Sequence, residues 1–229
     1  MKKIVNCLTG SRIVATILLP FLWKVLSPAA IVIFVVLILL TDFFDGMLAR
    51  KFNVQTLFGM ILDQVADKAF GIMMLLIIGI YEPTFYLLVV MEVVIAVINI
   101  LAALRGATTK SSFLGKTKMW VLGASTFIAL VSIFEKQLLD IIKIDYLRDL
   151  LLTFMKNEDA ILLVAGSITI GSQIMVAVDY TRHILKELKK KNEKIKYNFK
   201  SKKEIIKVLF DTKYYLKNKN LSYAKHFLK

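Results

Sequence analysis

The sequence predicts an all-α fold: a polytopic membrane helical bundle of six transmembrane helices with a basic cytoplasmic C-terminal tail. Three observations carry this expectation. Of the 229 residues, 57% are hydrophobic, and the mean hydropathy of +0.66 exceeds what a soluble domain of this length normally carries. Apolar runs close to the ~20 residues that span a bilayer recur along the chain. The ~10-residue alternating segments of a membrane barrel are absent from the sequence.

The elements follow in order. Met1–Gly10, "MKKIVNCLTG", is a short basic-amphipathic lead-in. The expected spans are Arg12–Ser27, Ala30–Leu48, Leu57–Tyr81, Thr84–Leu104, Lys118–Phe134 and Ile161–Leu185. Pro28 marks the turn into the second and Pro83 the turn into the fourth. No small-residue cleavage site follows the first run, which argues against a cleaved signal peptide. Between the fifth and sixth spans, "EKQLLDIIKIDYLRDLLLTFMKNED" places apolar and charged residues at helical spacing and predicts an interfacial amphipathic helix. Residues 1–185 form the expected transmembrane domain and residues 186–229 the tail, in which "KKEIIKVLFDTKYYLKNKN" is suited either to a helix on anionic lipid or to a solvated segment. Cys7 is the sole cysteine, so the chain has no intramolecular disulfide and no cysteine metal cluster.

Charge sets the orientation. From Thr181 onward there are 16 Lys+Arg against 4 acids, out of a net +14 for the chain. A basic tail beside a membrane has anionic lipid as its partner rather than nucleic acid, and it reads as cytoplasmic. Lys2, Lys3, Arg12, Arg50, Lys51, Arg105, Lys110, Lys116 and Lys118 all fall on the tail's side of a six-span chain, which puts both termini in the cytoplasm.

Against this background four aspartates stand out. Asp42 and Asp45 lie near the cytoplasmic end of the second span, and Asp63 and Asp67 near the start of the third. An Asp at mid-helix costs roughly 3 kcal/mol on insertion scales, so intramembrane acids are rare and usually functional. Asp42 and Asp45 are i,i+3, and Asp63 and Asp67 are i,i+4, so each pair shares a helix face. A short turn joins the two helices, making them antiparallel neighbours and bringing four carboxylates toward one cavity. Neutralising them calls for hard cations such as Mg²⁺ or Mn²⁺, which favour all-oxygen sites and are commonly shared with substrate phosphates. Gly46 and Gly59 remove bulk where a ligand approaches, and Arg50 supplies a fixed cation suited to phosphate. Interhelical salt bridges or the gating acids of a cation- or proton-coupled transporter are the competing readings. A transporter calls for interrupted midplane helices in related halves, and the sequence shows neither.

The whole pattern reads D-x2-D-G-x2-A-R-x8-G-x3-D-x3-D, with Asp42, Asp45, Gly46, Ala49, Arg50, Gly59, Asp63 and Asp67 at its fixed positions. It resembles the signature of the CDP-alcohol phosphotransferase (phosphatidyltransferase) family. The resemblance implies a six-span, usually dimeric membrane enzyme that couples an alcohol to a CDP-linked donor and releases CMP. It implies that Asp42, Asp45, Asp63 and Asp67 hold two metal ions, that Asp67 is also the general base, and that Gly46, Ala49, Arg50, Thr56 and Gly59 line the donor.

Further segments resemble the phosphatidylglycerophosphate synthases of that family. "VNCLTGSR" is similar to their N-terminal segment, which implies donor contacts from Asn6 and Thr9, although Val5 stands where Pro is usual. "LDQVADK" is similar to their third-span segment, with Gln64 in place of Pro. "LGKTKM" resembles their phosphate-contacting segment and implies acceptor contacts from Lys116 and Lys118, with Arg105 nearby. Their Arg-Glu pair on the fourth span reads Met91-Glu92 here, and Asn99 stands near their second Arg. The implied reaction moves a phosphatidyl group from CDP-diacylglycerol to glycerol 3-phosphate, or else to phosphatidylglycerol, inositol phosphate or another polar alcohol. Lys116 and Lys118 point about 200° apart on one helix, so Lys116 is expected in a bend that reaches the site and Lys118 at the start of span five, near the headgroups.

Overall fold

A computed structural model describes residues 2–104, 113–190, 200–218 and 226–227. Among these residues regular structure is helical throughout. The helices are α1 (Lys2–Val25), α2 (Pro28–Lys51), α3 (Leu57–Tyr81), α4 (Phe85–Leu104), α5 (Phe113–Ile133), α6 (Glu135–Ile141), α7 (Asp145–Lys156), α8 (Glu158–Lys190), α9 (Lys202–Phe210) and α10 (Thr212–Asn218). By length and composition, three segments are long and apolar enough to cross a membrane: Ile4–Val25, Pro28–Lys51 and Glu158–Lys186. Phe85–Leu101 is a shorter apolar helix. The other expected spans fall on α3, which carries Asp63, Asp67 and Lys68 in its first half, and on α5.

Two boundaries differ from expectation for identifiable reasons. The lead-in is not separate: α1 is continuous from Lys2, and Pro20 lies inside it. The expected amphipathic helix is broken into α6 and α7. The break runs through Ile142 and Ile144, both extended, with ψ of 113° and 116°. A run rich in β-branched residues, "IIKI", disfavours a continuous helix there.

The chain divides into two compact units. The first comprises Met1–Met73, Ile100–Thr109 and Ile184–Lys229. In it α1 packs on α2. Ile31, Val35 and Ile38 recur at helical spacing on the buried side of α2, while Ile33, Leu37 and Phe43 are exposed, as a lipid-facing surface would be. Ser27 caps α2, its hydroxyl accepting from the Ala30 amide at 3.4 Å, with Pro28 in the first turn.

The described part of the tail is anchored to α3 rather than extended. Ser201 and Glu204 form a capping box that starts α9. The Phe210 ring lies 4.9 Å from that of Phe58, and the Tyr215 hydroxyl donates to Met60 Sδ at 3.3 Å. Lys200 closes the tail on itself through the His226 carbonyl at 3.0 Å. Phe210 is half exposed, so this docking contributes roughly 1 kcal/mol. Replacing both Phe210 and Tyr215 with Ala is expected to free the tail, seen as faster hydrogen exchange at Leu57–Met60.

The second unit comprises Met74–Asn99 and Lys110–His183. Its core joins Leu75 and Ile78 of α3, Phe85 and Leu88 of α4, Leu122 and Ala129 of α5, and Leu162 of α8. A cavity of about 400 Å³ in this unit is lined by Glu82, Ser132, Glu135 and Glu158 among others and contains none of the four aspartates.

Candidate active site

The turn between α2 and α3 is short and tightly bonded. The Phe52 amide donates to the Leu48 carbonyl at 3.0 Å and the Val54 amide to that of Ala49 at 3.1 Å. Asn53 sits at φ 51°, in the left-handed region that Asn tolerates better than most residues. Thr56 then receives the Gly59 amide on its hydroxyl at 3.0 Å, capping the start of α3. A chain that reverses this quickly sets the acid-bearing turns of α2 and α3 side by side.

Three of the four acids converge. One carboxylate oxygen each of Asp42, Asp63 and Asp67 lies within 4.8 Å of the others. Two carboxylates at that distance repel by about 3 kcal/mol at an effective dielectric of about 20, and by about 1 in bulk water. Their side chains are 43–52% exposed, which places the repulsion toward the lower figure. Asp45 is buried and lies outside this set, where the Thr9 hydroxyl donates to its Oδ2 at 2.7 Å.

The residue that sequence reasoning missed is Arg12. Its guanidinium is almost fully buried, and it reaches all three converging carboxylates: Asp42 through Nη1, Asp63 through Nη2 at 2.7 Å and Asp67 through Nη2 at 3.1 Å. An Arg at the start of an apolar run reads as a flanking topology charge. A signal did exist, because Thr9, Arg12 and Thr16 recur every three to four residues of an apolar helix, and all three are buried. Such a polar stripe faces protein, not lipid.

The expected donor-binding residues gather around the same helices. Ala49 and Arg50 lie in the last turns of α2, where the Arg50 Nε donates to the Gly46 carbonyl at 3.1 Å. A Cβ on Gly59 would stand 3.1 Å from Asn6 Oδ1 and 3.2 Å from Thr56 Oγ1, so α1 and the α3 cap approach here only because the side chain is absent. Thr9 bonds to the acid Asp45, whereas Asn6, Thr56 and Gly59 meet one another and Arg50 meets Gly46.

The expected acceptor residues behave differently. Arg105 lies outside the described residues. Lys116 and Lys118 both sit within α5, so there is no bend at Lys116. Only one turns inward, as their spacing requires, but it is Lys118, not Lys116. Lys118 is buried and paired with Glu92, whose Oε1 also accepts from Gln173 Nε2 at 3.3 Å. Its expected place near the headgroups is therefore corrected: Glu92 on α4 draws the ammonium into the second unit.

The oxygen set suits a hard divalent cation. Oxygens bound to one ion lie at most about 4–5 Å apart, given bonds of about 2.0–2.6 Å, and the 4.8 Å within which Asp42, Asp63 and Asp67 converge is compatible with that ceiling.

Comparison with known proteins bears on the family. The family described as CDP-alcohol phosphatidyltransferase matches residues 2–171. Proteins named CDP-diacylglycerol--glycerol-3-phosphate 3-phosphatidyltransferase are similar to the chain. That of Rickettsia bellii is 34% identical over 51% of this chain and 68% of its own length. That of Pectobacterium atrosepticum is 38% identical over 38% of this chain and 46% of its own. That of Aquifex aeolicus is 25% identical over 80% and 95%. The chain therefore spans about half the length of the Pectobacterium relative. No solved structure matches.

Proposed function

The chain belongs to the CDP-alcohol phosphatidyltransferase family, and from that premise we propose that it moves a phosphatidyl group from CDP-diacylglycerol to glycerol 3-phosphate and releases CMP. The observation that carries this reading is the convergence of Asp42, Asp63 and Asp67 within 4.8 Å, next to Asp45, at the turn joining α2 and α3. The names of the relatives support the acceptor.

In this reading Asp42, Asp45, Asp63 and Asp67 hold two divalent cations, Mg²⁺ or Mn²⁺. When bound, these would make the phosphorus more electrophilic and stabilise the departing CMP. Asn6, Thr9, Gly46, Ala49, Arg50, Thr56 and Gly59 bind and orient the donor. Asp67 accepts the proton of the acceptor hydroxyl as its oxygen bonds to phosphorus and the bond to CMP breaks. Acceptor contacts from Lys116 and Arg105 rest on the family resemblance. Lys118, committed to Glu92, stabilises the second unit instead. A six-span chain in the cytoplasmic membrane, with both termini inside and two copies per molecule, completes the proposal. The apolar helices and the basic flanks support it.

The test is CMP release by purified protein in detergent from CDP-diacylglycerol and glycerol 3-phosphate. Activity is expected to vanish with a chelator and to return with Mg²⁺ or Mn²⁺. Substituting phosphatidylglycerol or inositol phosphate would show whether the acceptor is misassigned. No CMP release with any acceptor would end the reading.

A further inference from the structure

We propose that Arg12 is an exchangeable counter-cation: it holds the acid set together before divalent cations bind, and it leaves the carboxylates as they do. The inference rests on the metal-binding reading of Asp42, Asp63 and Asp67.

The guanidinium already pairs with Oδ1 of each of the three converging carboxylates, so an ion coordinated by all three competes with Arg12 for the same three groups. The charges do not balance with Arg12 alone, since one positive fork faces three acids, with the buried Asp45 close by on α2. The fork is also incompletely seated. Its Nε is buried with no hydrogen-bond partner among the described residues, whereas a guanidinium in its final place normally satisfies its donors. Both Nη atoms are used on acids and the third donor position is empty, as expected of a group with a second seat. Arg12 also sits on α1 between Thr9, bonded to Asp45, and Thr16, whose hydroxyl bonds back to the Arg12 carbonyl at 2.8 Å. Its backbone is therefore fixed while its side chain exchanges.

The experiment measures Mn²⁺ binding to the purified full chain in detergent, without substrates, together with melting temperature. Arg12→Gln removes the internal competitor and is expected to bind Mn²⁺ at least about tenfold more tightly than wild type, about 1.4 kcal/mol. Without metal it should melt below wild type, because the acids lose their counter-charge, and saturating Mn²⁺ should close most of that gap. Arg12→Lys, which keeps the charge but not the fork, should lie between. If Arg12→Gln does not fold, the Lys variant carries the test with a severalfold tightening. Unchanged or weaker Mn²⁺ affinity in both variants, or a melting deficit equal with and without metal, would overturn the proposal and make Arg12 a permanent structural member. Wild-type protein that binds neither Mn²⁺ nor Mg²⁺ would instead remove the metal reading itself, and the exchange with it.

Discussion

Asp67→Asn is expected to lower CMP release at least about a hundredfold while leaving the protein folded and able to bind its CDP donor. The magnitude is that of a lost general base, about 10²–10⁴-fold. The geometry singles out Asp67 among the three converging acids. At 3.1 Å its contact with Arg12 is the longest, and at 52% exposed its carboxylate is the most open to an arriving hydroxyl. Asparagine keeps the size and one oxygen but cannot take the proton. The check is a turnover assay paired with donor binding by equilibrium dialysis. Near-normal turnover would remove Asp67 from the proton-transfer role, and loss of donor binding in step with turnover would reassign it to a purely metal-holding one.

The second large effect lies in the other compact unit. Glu92→Leu leaves the buried ammonium of Lys118 without its carboxylate, and removing one partner of a buried pair costs roughly 3–5 kcal/mol. Both side chains are about 95% buried, so water cannot take the place of the acid. A strong fall in melting temperature in detergent is expected. Glu92→Leu combined with Lys118→Met should recover most of it, since an apolar pair of similar volume has no desolvation to offset. If the double variant is as unstable as the single, the ion pair is not the cause, and the packing of α4 against α5 is.

These two sites show what the residues alone disclose. The acid pairs were legible because i,i+3 and i,i+4 spacing fixes a shared face whatever the rest of the chain does, and a short linker fixes the neighbour. Arg12 was not legible in that way, because nothing in its local spacing relates it to residues 42, 63 and 67. Its role appears only once α1 lies against α2. For Lys116 and Lys118 the helical geometry correctly required that only one face inward. The choice between them depended on Glu92, distant in sequence and adjacent in space. The helix break at Ile142–Ile144 was visible in composition but was outweighed by the amphipathic pattern around it. The tail's docking rests on Phe210 and Tyr215, which have no periodic signal because α9 and α10 are short.

That docking has a consequence in time. Met60 and Phe210 are 150 positions apart, and at about 5–20 residues per second a ribosome needs roughly 8–30 s to pass from one to the other. From Asp67 onward in that interval the nascent chain carries all four aspartates and Arg12 but no clasp on the first turn of α3. A polypeptide terminated between the sixth apolar run and Phe210 would hold every acid of the motif and still lack that fastening. The stretch that fastens the first turn of α3 thus leaves the ribosome well after the acids beside it, so the surroundings of the acids are finished later than the acids themselves.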